Sequence, residues 1–144
     1  MYVLIQEGKV RKYPYSISLL KQDNPGTSFP ETVSDALLES FGVYPVTPAE
    51  IPTHDRLTEY ASKSISQVDG AWVENWTVER LDEETAAANV RGYRTKLLKQ
   101  TDWTQLSDAP GDTGAWATYR QALRDISSQA DFPYNIAWPE EPAS

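Results

Sequence analysis

The sequence predicts an α+β protein. A small β-rich unit with one short helix fills residues 1–81, and a helical hairpin with an extended aromatic tail fills residues 82–144. Three observations lead there. Short apolar runs punctuated by turn pairs and proline occupy the front of the chain, as strands require. Behind residue 81, apolar side chains recur at three- and four-residue steps in two long segments, as amphipathic helices require. Aromatic residues make up 11% of the 144 residues, too many for a disordered chain and enough for a proper core.

Tyr2 to Ile5 is the first apolar run, and Val10 to Leu20 alternates loosely around Pro14. Residues 2–20 therefore read as two or three short strands, with Pro14 marking an edge or a bulge. Asp23-Asn24-Pro25-Gly26 is a turn. Glu31 to Phe41 reads as the short helix, capped by Thr32 or Ser34. Its stripe is Val33, Leu37, Leu38 and Phe41, and Gly42 takes the left-handed position behind it. Three prolines between Pro45 and Pro52 keep the next segment extended and free of helix.

Residues 62–81 read as a hairpin about Asp69-Gly70, a favoured two-residue turn. Trp72, Glu74, Trp76, Val78 and Arg80 share one face of its second strand, and the two Trp make that the expected packed face. Asp82 to Gln100 is the clearest helix, capped by Asp82, with Glu83 and Glu84 near its positive end. Ala86, Val90, Tyr93 and Leu97 form its stripe. A polar connector over 101–113 leads to a second helix over 114–130, striped by Trp116, Tyr119, Leu123, Ile126 and Ala130. In the tail, Phe132, Tyr134, Ile136 and Trp138 are spaced by two, so an extended strand would face all four one way.

Composition excludes several functions. The chain has no Cys and a single histidine, His54, so a thiolate metal site, a Cys nucleophile and a multi-His metal site within one copy are all ruled out. With 13 basic against 21 acidic residues the net charge is −8, which disfavours nucleic acid and anionic membranes as partners. No stretch reaches the roughly 20 apolar residues of a membrane span, and the opening MYVLIQEGKV turns polar too soon for a signal peptide. A cytoplasmic protein is therefore expected. No nucleophile elbow, phosphate-binding loop, zinc-protease or calcium-loop motif occurs, and no cofactor is expected. Carboxylate pairs such as Glu74/Glu79 and Glu140/Glu141 have nothing in sequence to orient them for hydrolysis.

The back of the chain carries a specific pattern. Leu97-Leu98 is followed by Thr101-Asp102-Trp103-Thr104-Gln105-Leu106 and then by Asp108-Ala109-Pro110. Trp116 and the run Tyr119-Arg120-Gln121-Ala122-Leu123-Arg124-Asp125-Ile126 come next, and Phe132-Pro133, Ile136 and Trp138-Pro139 close it. This run, covering about residues 96–142, resembles the tail-fibre assembly chaperones of tailed bacteriophages. The front segments SFPETVSDALLESFGVYPV and DGAWVENWTVERL are similar to stretches that precede that module in phage tail proteins. Gly111 departs from the pattern, which is often apolar after DAP. The resemblance implies a binding protein and not an enzyme. Its partner would be a tail-fibre polypeptide, trimeric when assembled, that it helps to fold, trimerise or attach. It implies action in the host cytoplasm during phage assembly, followed by release or by retention in the virion tail. The alternative is a permanent structural subunit of the fibre or baseplate.

Partner-binding candidates follow from exposure-prone aromatic and basic positions in this module. Trp103, Trp116 and Trp138 form either an aromatic grip or the core of a small hairpin. Tyr119 joins them, and Arg120 and Arg124 share a helix face. The two arginines either fork to carboxylates and carbonyls of the partner, or pair internally with Asp125, Glu83 or Glu84, or are simply solvated. Asp102 is expected to cap a turn after the first long helix. Phe132, Tyr134, Ile136 and Trp138 are either a lid on the core or a docking strand. The stripe Ala86/Val90/Tyr93/Leu97 packs within the chain or builds a homo-oligomer, and two heptads do not decide between them.

Overall fold

The computed structural model describes residues 1–143. It is a mixed α/β protein with the element order β1 (Tyr2–Gln6), β2 (Lys9–Tyr15), α1 (Ile17–Asp23), α2 (Asp35–Ser40), β3 (Val43–Thr47), β4 (Glu59–Val68), β5 (Ala71–Arg80), α3 (Glu83–Gln100) and α4 (Thr113–Arg124). Short 3-10 turns follow α3 at Asp102–Gln105 and α4 at Asp125–Ser128. The chain divides into two compact units. One holds Met1–Pro52 and Ala61–Thr77, and the other holds Thr53–Tyr60 and everything from Val78 onward. This differs from a single cut after residue 81. Thr58 is buried, its carbonyl takes the Leu81 N–H at 2.8 Å, and Leu57 O takes the Asn89 side chain at 3.0 Å. These bonds tie residues 57–58 to the start of α3.

In the first unit the strands run in the order β2-β1-β3-β5-β4. β1 pairs antiparallel with β2 and β3, while β3 pairs parallel with β5 through Val46–Trp72 and Thr47–Val73. Pro14 lies on the edge strand β2, whose register against β1 is irregular, as expected for proline. Pro45 is tolerated in the more central β3. Val46 N–H bonds to Met1 O at 3.0 Å, so the N–H that Pro45 lacks falls on the opposite side, where the parallel pairing starts only at Val46. The Asp69-Gly70 turn is present, with φ of 49° and 81°, the two left-handed angles that such a tight hairpin demands.

One sequence expectation fails here. Residues 17–23 are helix α1 and not a continuing strand, so the unit has two short helices instead of one. Ser16 leaves the strand, accepts the Leu19 N–H at 3.2 Å and caps the new helix, which turns Leu20 into the core. The face of β5 expected to pack is the more buried one, although its buried member is not a tryptophan. Trp72 and Trp76 are half-buried, and the buried member of that face is Glu74. Helix α2 is shorter than expected but is capped by Ser34 and followed by Gly42 at φ 73°. A Cβ on Gly42 would stand 2.5 Å from Ile5 O, because Gly42 O accepts the Ile5 N–H at 2.7 Å and brings the two backbones together. Tyr15, Leu20, Leu38 and Val43 form the core of this unit, lined by Phe29, Val33 and Phe41.

The second unit is built on α3 and α4. Asp82 caps α3 through Thr85 N–H at 2.9 Å, as expected. Asp112 caps α4 through Gly114 and Ala115 N–H at 3.0 and 3.1 Å. The α4 stripe holds well: Trp116, Tyr119, Leu123 and Ile126 are all buried and pack with Val90 from α3. The α3 stripe holds only in its first half. Ala86 and Val90 are buried, Leu97 is half-buried and Tyr93 is exposed. Ala130 also lies outside its helix, since α4 tightens into a 3-10 turn after Arg124.

Candidate partner-binding surface

Helix α3 ends at Gln100, leaving carbonyls that need donors and a partial negative charge at that end. Thr101 begins the repair: its hydroxyl donates to Leu97 O and Leu98 O, both at 3.1 Å. Arg120 completes it from α4. Its Nη1 donates to Leu98 O at 2.7 Å and to Thr101 Oγ1 at 2.8 Å, and its Nη2 pairs with Asp102 Oδ1 at 2.8 Å. A planar fork suits this three-way task as a point-charge ammonium would not. Arg120 is only 6% exposed, and both its Nη groups are bonded inside the chain. Within the chain, Asp125, Glu83 and Glu84 are not the groups that receive it. Asp102, expected to cap a turn, instead accepts this guanidinium; the 3-10 turn it opens has no side-chain cap. Arg124, four residues on, is exposed in the last turn of α4, so burial separates the two arginines that sequence spacing put together.

This anchoring fixes the turn that carries Trp103. Its ring meets Trp116 edge-on at 5.5 Å, and Trp116 meets Tyr119 in the same way at 5.9 Å. The three aromatics grade outward. Trp116 and Tyr119 are buried, whereas Trp103 keeps 42% of its surface exposed. Burial raises the Tyr119 phenol above its ordinary pKa. Leu106, closing the same turn, is 61% exposed. It is the apolar end of the Thr101–Leu106 motif inside a polar connector.

The tail differs from its expected form. It is not a strand. Residues 131–135 make a tight turn, with the Tyr134 and Asn135 N–H groups both bonded to Asp131 O at 3.0 and 3.1 Å. Phe132, Ile136 and Trp138 pack on the core around Val90, Leu123 and Ile126, while Tyr134 donates its hydroxyl to Leu81 O at 2.8 Å. Gln129 holds the strap in place. Its amide donates to Ala137 O and accepts from Ala137 N–H, each at 2.9 Å, as a neighbouring strand would. Trp138 then stands edge-on against Tyr93 at 5.0 Å. Cations cover the two remaining rings: Arg91 lies 5.1 Å from Phe132, and Arg80 lies 4.9 Å from Tyr134.

Residues 87–143 match the family model of the phage tail assembly chaperone proteins. The match spans most of α3, the Trp103 turn, α4 and the tail, and it agrees at the level of tail assembly with the resemblance read from the motifs at 96–142. No curated protein and no solved structure matches the chain.

Proposed function

We propose that this protein is a phage tail-fibre assembly chaperone. It binds the fibre polypeptide, covers apolar surface on the folding subunits and promotes their trimerisation or attachment. It acts by binding and not by catalysis, in the host cytoplasm while the phage assembles. The observation that carries this reading is the family match over residues 87–143. In this reading residues 82–144 form a helical hairpin module with the contact surface at its exposed positions. Trp103 and Arg124 supply contacts directly, as do the half-exposed edges of Phe132, Tyr134, Ile136 and Trp138. Trp116, Tyr119 and Arg120 support them from beneath. Covering surface that trimerisation later buries explains release, since a ligand of the unassembled subunit loses its site on assembly. The test is production of the fibre protein with and without this chain. More soluble trimer in its presence is expected, and equal yields overturn the chaperone reading. Mass spectrometry of purified particles then decides between release and retention in the virion tail.

A further inference from the structure

The connector between α3 and α4 holds an unusual combination. Trp103 and Leu106 are exposed apolar side chains on a turn already made rigid by Arg120, so covering them forfeits little conformational freedom. From Gln100 to Tyr119 the sequence has Asp102, Asp108 and Asp112 and no Lys or Arg. Arg120 offsets Asp102, which leaves Asp108 and Asp112 as exposed negative charges beside the patch, with Lys99 the adjacent cation.

We propose that Trp103 and Leu106, bordered by Asp108 and Asp112, dock an extended segment of the tail protein that alternates apolar and basic side chains. The charges select basic residues over acidic ones. A segment of period two puts apolar side chains on the patch and its basic ones toward the aspartates. The assignment of this segment to a tail protein rests on the chaperone reading, whereas the chemistry of the surface does not.

The full chain, labelled with nitrogen-15, is titrated with three synthetic peptides: one alternating Leu and Lys, one alternating Leu and Glu, and one alternating Ser and Lys. The Leu/Lys peptide is expected to move the Trp116 and Trp103 indole resonances, and the other two to bind at least tenfold more weakly. Leu106→Ser, at a 61% exposed site, is expected to weaken binding roughly tenfold with the fold intact. Asp108→Asn with Asp112→Asn, which keeps the α4 cap, should weaken it several-fold and flatten its salt dependence. A Leu/Lys peptide that leaves both indoles unmoved overturns the proposal, as does equal binding of the Leu/Glu peptide. Indole shifts that depend on protein concentration without peptide also overturn it and assign the patch to a second copy of this chain. A tail-fibre protein that fails to co-purify with the wild-type chain, while the peptide results hold, removes the chaperone reading and leaves the surface standing.

Discussion

Each of the two compact units is held together internally by its own chemistry. The sheet unit has a carboxylate near its middle: Glu74, 8% exposed, accepts Tyr13 OH, Lys63 Nζ at 2.9 Å and Ala49 N–H at 3.0 Å. Those donors come from β2, β4 and the segment after β3. Lys63 also lies 4.9 Å over the Trp76 ring, and the Trp76 indole reaches Ala49 O at 3.0 Å. The helical unit uses an apolar core instead, with Val90, Leu123 and Ile126 all at 0% exposure, and sends its buried charge, Arg120, to a helix end. Short strands that contribute one or two apolar side chains each are joined by directional polar bonds. Long helices that contribute an apolar residue every turn are joined by packing. Substitution should therefore damage the helical unit most through size and charge in the stripe, and the sheet unit through donors and acceptors.

The largest effect is expected from Leu123→Asp. It places an unpaired charge where exposure is 0% and removes the packing of the leucine, for a loss of about 5 kcal/mol. Whole domains hold roughly 5–15 kcal/mol, so circular dichroism should show the α3–α4 helix signal largely gone. An unchanged melting curve would mean that packing does not hold this unit. Ending the chain at Asp131 comes next. Phe132, Ile136 and Trp138 each lose about half of a buried side chain's roughly 1.5–3 kcal/mol, for about 3 kcal/mol together. Urea denaturation should show that shift. Full stability with lost fibre binding would make the tail a docking element only.

Arg120→Met is expected to be smaller. The side chain keeps its reach and apolar stem but loses the bonds to Leu98 O, Thr101 and Asp102. Asp102 is well exposed, so water replaces much of the pairing. A loss of about 2 kcal/mol is expected from the buried bonds to the helix end. A further signature distinguishes positioning from bulk stability: Trp103 fluorescence should shift red in the folded variant as the turn loosens. Unchanged emission in a destabilised variant would separate Arg120 from the placement of Trp103.

Legibility followed the same division. Caps and stripes are local, so Ser34, Asp82, the Asp69-Gly70 turn and the run Trp116, Tyr119, Leu123 and Ile126 could be read from spacing alone. Helix α1 was misread because Ile17 to Leu20 suits a strand as well as a helix, and the Ser16 cap that decides it looks like any serine. Glu74 was placed on the packed face for the sake of its tryptophan neighbours. Its partners, Tyr13 and Lys63, lie 61 and 11 residues away and leave no periodic trace. Arg120 was selected as a candidate, but its destination at the end of α3, 22 residues back, depends on how the helices pack. The tail's period of two was real in sequence and absent in structure, because Asp131 and Gln129 bind its backbone in a turn and a strap.

The smallest expected effect tests the polar half of the comparison through pH. Hydrogen bonds from Tyr13 and Lys63, ahead of that from Ala49, hold the Glu74 carboxyl down to about 2, against an ordinary value of 4.5. A group whose folded pKa is depressed contributes stability above its unfolded pKa and loses it as pH falls through the folded one. The Glu74 contribution is therefore whole above pH 4.5 and fades between there and about pH 2. Tyr13 works in the opposite sense. Burial first, and then its bond to Glu74, raises the phenol from 10.0 to about 12, so its contribution is whole below pH 10 and fades toward 12. Denaturation midpoints measured from pH 7 down to pH 2 should fall less steeply in Glu74→Gln than in the wild type, by at most the uptake of one proton. Tyr13→Phe should flatten the same acid limb partially, because Lys63 and Ala49 remain. Its alkaline limb should lose one phenolate transition near pH 12, leaving that of Tyr15, read by absorbance at the tyrosinate band. Identical acid limbs in wild type and Glu74→Gln would show that the carboxylate's three bonds merely replace those it makes with water, and that the sheet unit, like the helical one, is held by packing.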